Sequence, residues 1–270
     1  MIPRAHITAW RSRAPWPTNE QVEQDLVLSR ALVEIFNRKL VANQAIFRGG
    51  TALHKLFFST HGRYSEDIDL VQREAQPIGP FVDTLREVLD PWLGDPQWKQ
   101  GKDRFALYYR FETTFAPVTR MRLKIEINTR DHFSVLGTIR KRFTVENPWF
   151  TGSAMIPVFR YEELLGTKMR ALYQRRKGRD LYDLWIGLQY GDPDRNQILH
   201  CFDRYMKHDG AAVSRAEYEA NFLNKLRDPV FLEDIKLLVM SEVEYETANA
   251  AKAVHRELIA RLPGEPWKGI

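Results

Sequence analysis

The stretch from Phe47 to Val71 reads FRGGTALHKLFFSTHGRYSEDIDLV and decides the fold. Asp67 and Asp69 alternate with Ile68 and Leu70, so in a strand the carboxylates share one face and the aliphatic side chains share the other. Two carboxylates this close repel each other, and a divalent cation removes that cost; Mg²⁺ typically takes one or two carboxylates plus substrate phosphates. The pair indicates a metal site, although a solvated edge strand would show the same pattern.

A glycine turn lies upstream of the acid pair. Gly49 and Gly50 precede a helix that we predict to start at Thr51. A glycine turn that leads into a helix N-terminus exposes backbone N–H groups at the positive end of the helix dipole, and such an end binds anions. The turn therefore indicates phosphate binding, although a plain tight turn can have the same sequence.

A third candidate acid lies on a later strand. Residues 120–128 alternate strictly, with Glu126 on the polar face between two isoleucines of the apolar face. Residues 105–111 also alternate, and we expect the two strands to form an antiparallel pair. Glu126 could complete a two-metal cradle with the acid pair, or it could be a surface residue paired with Lys124 or Arg122.

The remaining pattern divides the chain into two parts. A capping-box spacing at Thr18 predicts a long helix over residues 19–41. Beyond residue 157 the apolar positions recur at helical intervals. We predict an α+β fold, with a mixed sheet and flanking helices in domain 1–158 and a helical domain 159–270 that completes the active site. The helices predicted in the second domain span residues 161–174, 180–189, 196–206, 215–226, 230–238 and 245–262.

Composition limits the class of protein. The 270 residues include 40 basic and 35 acidic side chains, and the resulting charge of +5 is compatible with a polyanionic partner without establishing one. The single cysteine, Cys201, excludes an internal disulfide and a thiolate zinc cluster and favours a reducing compartment. The sequence shows neither the apolar run of a signal peptide nor the roughly 20 apolar residues of a membrane span. We therefore expect a cytoplasmic protein with no membrane partner.

Other enzyme classes are disfavoured. The seven histidines, among them His61, lack the spacing of a metal centre. The sequence contains no Gly-x-Ser-x-Gly elbow and no Walker A sequence, which disfavours a serine hydrolase and a P-loop NTPase.

The order of glycine turn, acid pair and later strand-borne acid resembles the nucleotidyltransferase superfamily. More narrowly, the segments RGGTALHKLF, RYSEDIDL, RRKGRDLYDLW and WPTNEQVEQDLVLSRALVEIF are similar to the AbiEii/AbiGii family of toxins, which includes the MenT toxins. The resemblance covers residues 15–190. It implies a nucleotidyltransferase-like mixed sheet, an NTP substrate and Mg²⁺ at one or two metal positions.

The resemblance also implies roles for residues of the helical part. Lys168 lies in the apolar stripe of its helix, where a lysine usually snorkels to water, but the resemblance favours a cleft in which it meets a polyphosphate. Asp180 could simply cap the next helix, whereas the resemblance implies a carboxylate near the acceptor nucleophile or one that orients a basic partner; Asp183 is the weaker candidate. Six basic residues among the twelve from Lys168 to Arg179 indicate a nucleotide or RNA ligand, or a solvated helix end.

These inferences assign residues and a function. Catalysis is assigned to Asp67, Asp69, Lys168 and Asp180, metal binding to Asp67, Asp69 and Glu126, and nucleotide binding to Gly49, Gly50, Thr51, Ser65, Lys168 and Arg176. The resemblance implies a toxin that transfers NMP from an NTP to RNA, above all to the 3′ end of tRNA, and that a cognate antitoxin protein restrains. The alternatives are a non-catalytic nucleotide-binding module and a nucleotidyltransferase that modifies a small molecule or a protein.

Overall fold

The computed structural model describes residues 2–58, 62–236, 238–239 and 244–269. The chain forms two compact units, one of Met1–Ser134 with Thr138–Phe159 and one of Val135–Gly137 with Arg160–Ile270. All residues after Phe159 belong to the second unit. The predicted boundary lies one residue earlier, between residues 158 and 159. His61, one of the seven histidines, lies outside the described residues.

The described part of the first unit contains a seven-stranded mixed sheet, which confirms the predicted fold class. Its strands are β1 (Ala45–Arg48), β2 (Asp67–Gln72), β3 (Gln97–Gln100), β4 (Arg104–Glu112), β5 (Arg120–Asn128), β6 (Thr138–Asn147) and β7 (Phe150–Phe159). Their order is β3-β4-β5-β2-β1-β7-β6. The strand with the acid pair is thus central, and its interpretation as a solvated edge strand is wrong.

The neighbours of β2 define what faces the acid pair. β2 runs parallel to β5 and antiparallel to β1. β4 and β5 pair antiparallel over their whole length, as predicted from their alternation. Buried aliphatic side chains on β2 and β5, among them Ile68, Ile125 and Ile127, form the apolar side of the sheet.

The described residues of the first unit also form five helices: α1 (Arg4–Trp10), α2 (Asn19–Phe36), α3 (Lys39–Gln44), α4 (Gly49–Leu56) and α5 (Gly79–Leu93). α2 and α5 pack on each other and on the sheet, and the Tyr109 hydroxyl on the apolar face of β4 donates to Asp90 of α5 over 2.8 Å. α2 begins with the predicted capping box, in which Thr18 and Gln21 satisfy each other's backbone. The predicted single helix over residues 19–41 is wrong, because Arg38 has extended backbone angles that end one helix and start the next.

The described part of the second unit is helical, as predicted. Its helices are α6 (Tyr161–Gln174), α7 (Gly178–Gln189), α8 (Arg195–His208), α9 (Arg215–Lys225), α10 (Pro229–Glu233) and α11 (Thr247–Glu257), followed by a 3₁₀ turn over Ile259–Arg261. The helix predicted over residues 230–238 extends only to Glu233 in the structure, and residue 237 lies outside the described residues. Among the helices that the structure describes, none is long and apolar enough to span a membrane.

A buried glutamate connects two separate stretches of the second unit. Glu163 in the first turn of α6 is fully buried. Its carboxylate accepts hydrogen bonds from the backbone amides of Val135 and Leu136, at 2.8 and 2.9 Å, and from the Tyr205 hydroxyl at 2.8 Å. Three donors around one buried carboxylate compensate the loss of its hydration.

Candidate active site

The two aspartates of β2 lie beside an acid and a lysine of β5. In the parallel register Asp67 is opposite Lys124, and Asp69 is opposite Glu126. The Lys124 ammonium lies 2.8 Å from the Glu126 carboxylate and 3.7 Å from that of Asp67. The predicted third acid therefore faces the acid pair from a neighbouring strand, and it is at the same time paired with Lys124.

The electrostatics of this cluster show that its negative charges are close together. Burial and the Asp69 carboxylate raise the pKa of Asp67 to about 6, against the opposing effect of Lys124. Burial alone would lower the pKa of Lys124, but hydrogen bonding to Glu126 and the charges of Asp67 and Asp69 outweigh it and raise the pKa. The cluster favours an additional positive charge.

The glycine turn is in direct contact with the acid pair. Gly49 has a φ of +81°, and a Cβ atom at this position would lie 2.4 Å from Oδ2 of Asp69. Only glycine allows the N-terminus of α4 to approach a carboxylate of β2 this closely. The N-cap residue of α4, Arg48, makes no side-chain capping hydrogen bond. The amide end of α4 and the acid pair thus lie next to each other.

Thr51 and Ser65 stabilise this arrangement. Thr51 is buried, and its hydroxyl donates to the backbone carbonyl of Asp67 over 2.6 Å. The hydroxyls of Thr51 and Ser65 lie 2.8 Å apart. The contacts of Thr51 fix the first turn of α4 to the start of β2, and Ser65 precedes Asp67 by two residues.

The donor set suits a hard cation that prefers oxygen. Asp67 and Asp69 present carboxylate oxygens on one face beside a helix N-terminus, the chemistry with which Mg²⁺ is bound together with phosphates. Among the described residues, no three or more His, Cys, Asp or Glu side chains are grouped closely enough to hold a metal by themselves. The acid pair therefore fits a metal that takes its remaining ligands from a substrate, and Glu126 already shares one carboxylate oxygen with Lys124.

In the second unit, Lys168 and Asp180 belong to a buried ionic network. The Lys168 ammonium lies 2.7 Å from the Asp183 carboxylate and 3.3 Å from that of Asp180. Arg175 donates two hydrogen bonds to Asp180, at 2.6 and 2.7 Å. Both aspartates are fully buried and Lys168 is 5% exposed, so the interpretation in which Lys168 snorkels to water is wrong.

The network also decides the role of Asp180 in its helix. The N-cap of α7 is Lys177, and Asp180 lies within the first turn, so its interpretation as an N-cap is wrong. Burial alone would raise the pKa of Asp180, but the charges of Lys168 and Arg175 outweigh it and hold the pKa below its ordinary value. Asp180 is an ionised carboxylate that orients two cations.

The basic stretch between Lys168 and Arg179 is fully paired. Besides the network above, Arg170 pairs with Asp209, Arg176 with Asp228, and Lys177 and Arg179 with Asp234. The carboxylates largely neutralise the six cations. The charge of Arg176 is shared with Asp228, at 3.4 Å.

Sequence reasoning missed a largely buried ion pair in the first unit. Asp25 of α2 accepts hydrogen bonds from the indole nitrogens of Trp10 and Trp16, at 2.8 and 2.9 Å, and from the Lys55 ammonium at 2.6 Å. These residues line a cavity of about 220 Å³, whose wall also includes Thr51 and Ser65. An aspartate between the apolar residues Val22 and Leu28 of a predicted helix was the available signal.

The candidate residues therefore fall into two groups. Gly49, Gly50, Thr51, Ser65, Asp67, Asp69 and Glu126 are gathered in the first unit, and Lys168, Asp180 and Arg176 belong to the second. A mixed sheet with an acid pair beside a glycine-initiated helix is the architecture of a nucleotidyltransferase. Solved structures of this fold resemble the chain over nearly its whole length.

One such structure is the nucleotidyltransferase toxin MenT4 from Mycobacterium tuberculosis, which is 16% identical, has a TM-score of 0.56, and is matched over 94% of this chain and 99% of that chain. Another is JHP933 from Helicobacter pylori, at 17% identity and a TM-score of 0.51, matched over 90% of this chain and 95% of that chain. Among curated proteins none matches the sequence significantly.

The family described as nucleotidyl transferase AbiEii toxin of type IV toxin–antitoxin systems matches residues 30–256. The chain therefore belongs to the AbiEii nucleotidyltransferase toxin family, and the resemblance that the sequence indicated is confirmed. Its members are nucleotidyltransferases, which act on NTP substrates.

Proposed function

We propose that this protein is a Mg²⁺-dependent toxin that transfers NMP from an NTP to RNA, with the 3′ end of tRNA as the acceptor. A cognate antitoxin would restrain it in the cytoplasm. The observation that carries the proposal is the close approach of Gly49 to Asp69, because the helix end that would bind the phosphates lies directly against the acid pair. Polyphosphate and metal then share one site, as nucleotidyl transfer requires.

The residues of the first unit bind and orient the NTP. The amides of Gly49 and Gly50 at the start of α4, together with the Ser65 hydroxyl, hold the phosphates. Thr51 acts through its hydrogen bond to the Asp67 carbonyl, which fixes the helix end relative to β2. Asp67 and Asp69 would hold Mg²⁺, with Glu126 as a further ligand, and the ion supplies charge neutralisation on the phosphates.

The reaction exchanges one phosphate bond for another. A terminal hydroxyl of the RNA attacks the α-phosphorus, the bond from this phosphorus to the bridging oxygen of the β-phosphate breaks, and pyrophosphate leaves as the hydroxyl proton is released. In the second unit, Lys168 is the proposed polyphosphate contact and Asp180 positions it. Arg176 supplies a further cation for the nucleotide.

Labelled nucleotides test this proposal. Purified protein is incubated with Mg²⁺, total tRNA and each NTP in turn, labelled at either the α- or the γ-phosphate. We expect label on tRNA from the α-position only, and no label on tRNA whose terminal hydroxyls have been destroyed with periodate. In Asp69→Asn the label should fall at least about a hundredfold, because the metal site loses a charged ligand. Asp95→Asn, a change at an exposed aspartate, is the matched control.

Three outcomes would contradict the proposal. NTP binding without transfer would identify a nucleotide-binding module. Label on a small molecule or on a protein instead of RNA would identify a different acceptor. Transfer that continues with Asp69→Asn would show that the acid pair is not the catalytic site.

A further inference from the structure

We propose that the open face of β3, β4 and β5 is the surface on which the RNA acceptor lies, held through its backbone phosphates and led towards the acid pair. This inference rests on the proposed function and names the surface that its acceptor uses. We call this surface the basic face, and its residues are Lys99, Tyr108, Arg110, Arg120 and Arg122.

The strand register places the basic face on the same side of the sheet as the acid pair. On β5, Arg120 and Arg122 alternate with apolar residues and share a face with Lys124 and Glu126. Across the sheet, Arg122 is opposite Arg110. Alternate residues of a strand lie about 7 Å apart along the backbone, so the Cα atoms of Arg122 and Lys124 are separated by about this distance. An RNA strand whose backbone phosphates lie on this face would therefore have its terminal nucleotide near Asp67.

The cations of the basic face differ from those of the second unit. Lys99, Arg110, Arg120 and Arg122 are all exposed. Within the part of the chain that the structure describes, none of them forms an ion pair with a carboxylate, and the register partner of Arg120, Glu112, is not bonded to it. The six cations between Lys168 and Arg179, by contrast, all have carboxylate partners. The basic face has positive charge available to a ligand.

Two features of the basic face suit a nucleic-acid ligand. Arg110 and Arg122 are direct cross-strand partners, and like charges in that position destabilise a sheet. The Arg122 guanidinium lies over the ring of Tyr108, 5.6 Å from its centroid. A guanidinium on an aromatic ring is a platform on which an unpaired base can stack. The cross-strand neighbours Arg110 and Arg122 can at the same time bind phosphate. Single-stranded RNA is the ligand that uses both features.

The first experiment measures RNA binding without NTP, so that it does not depend on transfer. Arg110→Gln with Arg122→Gln is compared with wild type by fluorescence anisotropy, using a labelled single-stranded RNA that ends in a free 3′ hydroxyl. Affinity should fall roughly tenfold at low salt. The slope of log K against log salt should become less steep by about 1.4, since each phosphate contact on a single strand contributes about 0.7.

The matched control is Arg140→Gln with Arg142→Gln. These two arginines are also exposed and alternate on β6, at the opposite edge of the same sheet. The control removes the same charge from the same unit and should leave both affinity and slope near wild type. Melting temperatures are recorded for all three proteins, and the Arg110/Arg122 variant should be as stable as wild type or more stable, because a like-charge pair is removed.

The results separate this inference from the proposed function. Equal losses in the two variants, or unchanged RNA binding in both, would show that the basic face is only a solvated surface and would overturn the inference. Weaker NTP binding with unchanged RNA binding would overturn it as well. RNA binding through the basic face in a protein that transfers no label to RNA would support the inference while the proposed function fails.

Discussion

The Lys124 ammonium lies 2.8 Å from the Glu126 carboxylate, two residues along the same face of β5. It is also 3.7 Å from Asp67, so one lysine compensates carboxylates on two strands. A cation that belongs to the chain thus shares the acid cluster with the cation that we expect from solution. The two should compete, and this competition can be measured.

The first prediction concerns Lys124→Met. Without the ammonium, Asp67, Asp69 and Glu126 repel one another with less compensation from positive side chains, so binding of Mg²⁺ should stabilise the variant more than wild type. Melting temperatures with and without saturating Mg²⁺ give the two shifts. Lys102→Met, at an exposed lysine, should shift as wild type does. Equal shifts in Lys124→Met and wild type would contradict a metal at the acid pair.

The second prediction separates backbone strain from contact at Gly49. Both Gly49 and Gly137 have a φ of +81°, but a Cβ at Gly137 would meet no atom within 4 Å. Alanine should cost about 1–2 kcal/mol at either position because of the left-handed backbone. Only Gly49→Ala should also push Asp69 aside and abolish nucleotidyl transfer. Transfer assays and urea unfolding of both variants make the comparison, and comparable activity in the two would refute it.

The third prediction concerns the buried network of α6 and α7. Lys168→Met leaves Asp180 and Asp183 without their shared ammonium, and removing one partner of a buried ion pair costs about 3–5 kcal/mol. Lys207→Met removes the exposed pair with Asp203 and should cost about 1 kcal/mol or less. Urea unfolding measures both. A small cost at Lys168 would mean that the network contributes little to the fold.

The consequence for function assays is practical. An inactive Lys168 variant demonstrates a catalytic role only if its unfolding free energy is also known. A variant that retains stability and loses transfer would support a polyphosphate contact, whereas loss of both would support a structural role.

The fourth prediction is a dependence on pH. Lys168 and Arg175 hold the folded-state pKa of Asp180 below the value of about 3.9 found in unfolded chains. The resulting stabilisation is present above about pH 4 and is lost as the pH falls through the folded-state pKa. Asp180→Asn should therefore be less stable than wild type at neutral pH, and this difference should shrink in acid. Urea unfolding across the acid range measures it, and a constant difference would disprove the assignment.

Local sequence predicted the elements that carry strong periodicity. Strict alternation identified β2 and β5, and it placed Asp67, Asp69 and Glu126 on polar faces that the register then set side by side. Alternation depends only on the chemistry of neighbouring residues, so it can be read without knowing the fold. It was weaker in residues 138–159, and the strands β6 and β7 were not predicted.

Partners distant in the chain could not be predicted in this way. Lys124 lies near Asp67 because their strands pair, and Asp25 forms an ion pair with Lys55 because their helices pack together. A single sequence does not specify strand pairing or helix packing. The helical wheel placed Lys168 among apolar residues but could not show the two buried aspartates that receive it. A buried charge signals that a partner exists without identifying it.

The backbone amides that Glu163 binds belong to residues 135–136, which precede β6 and β7 in the chain. A gene cut after codon 159 would therefore separate this glutamate from both of these amides and leave its carboxylate inside the downstream fragment. The boundary that looks like a natural place for splitting or swapping halves between relatives is unsuitable for that purpose, and chimaeras built there should be recovered mainly as aggregates.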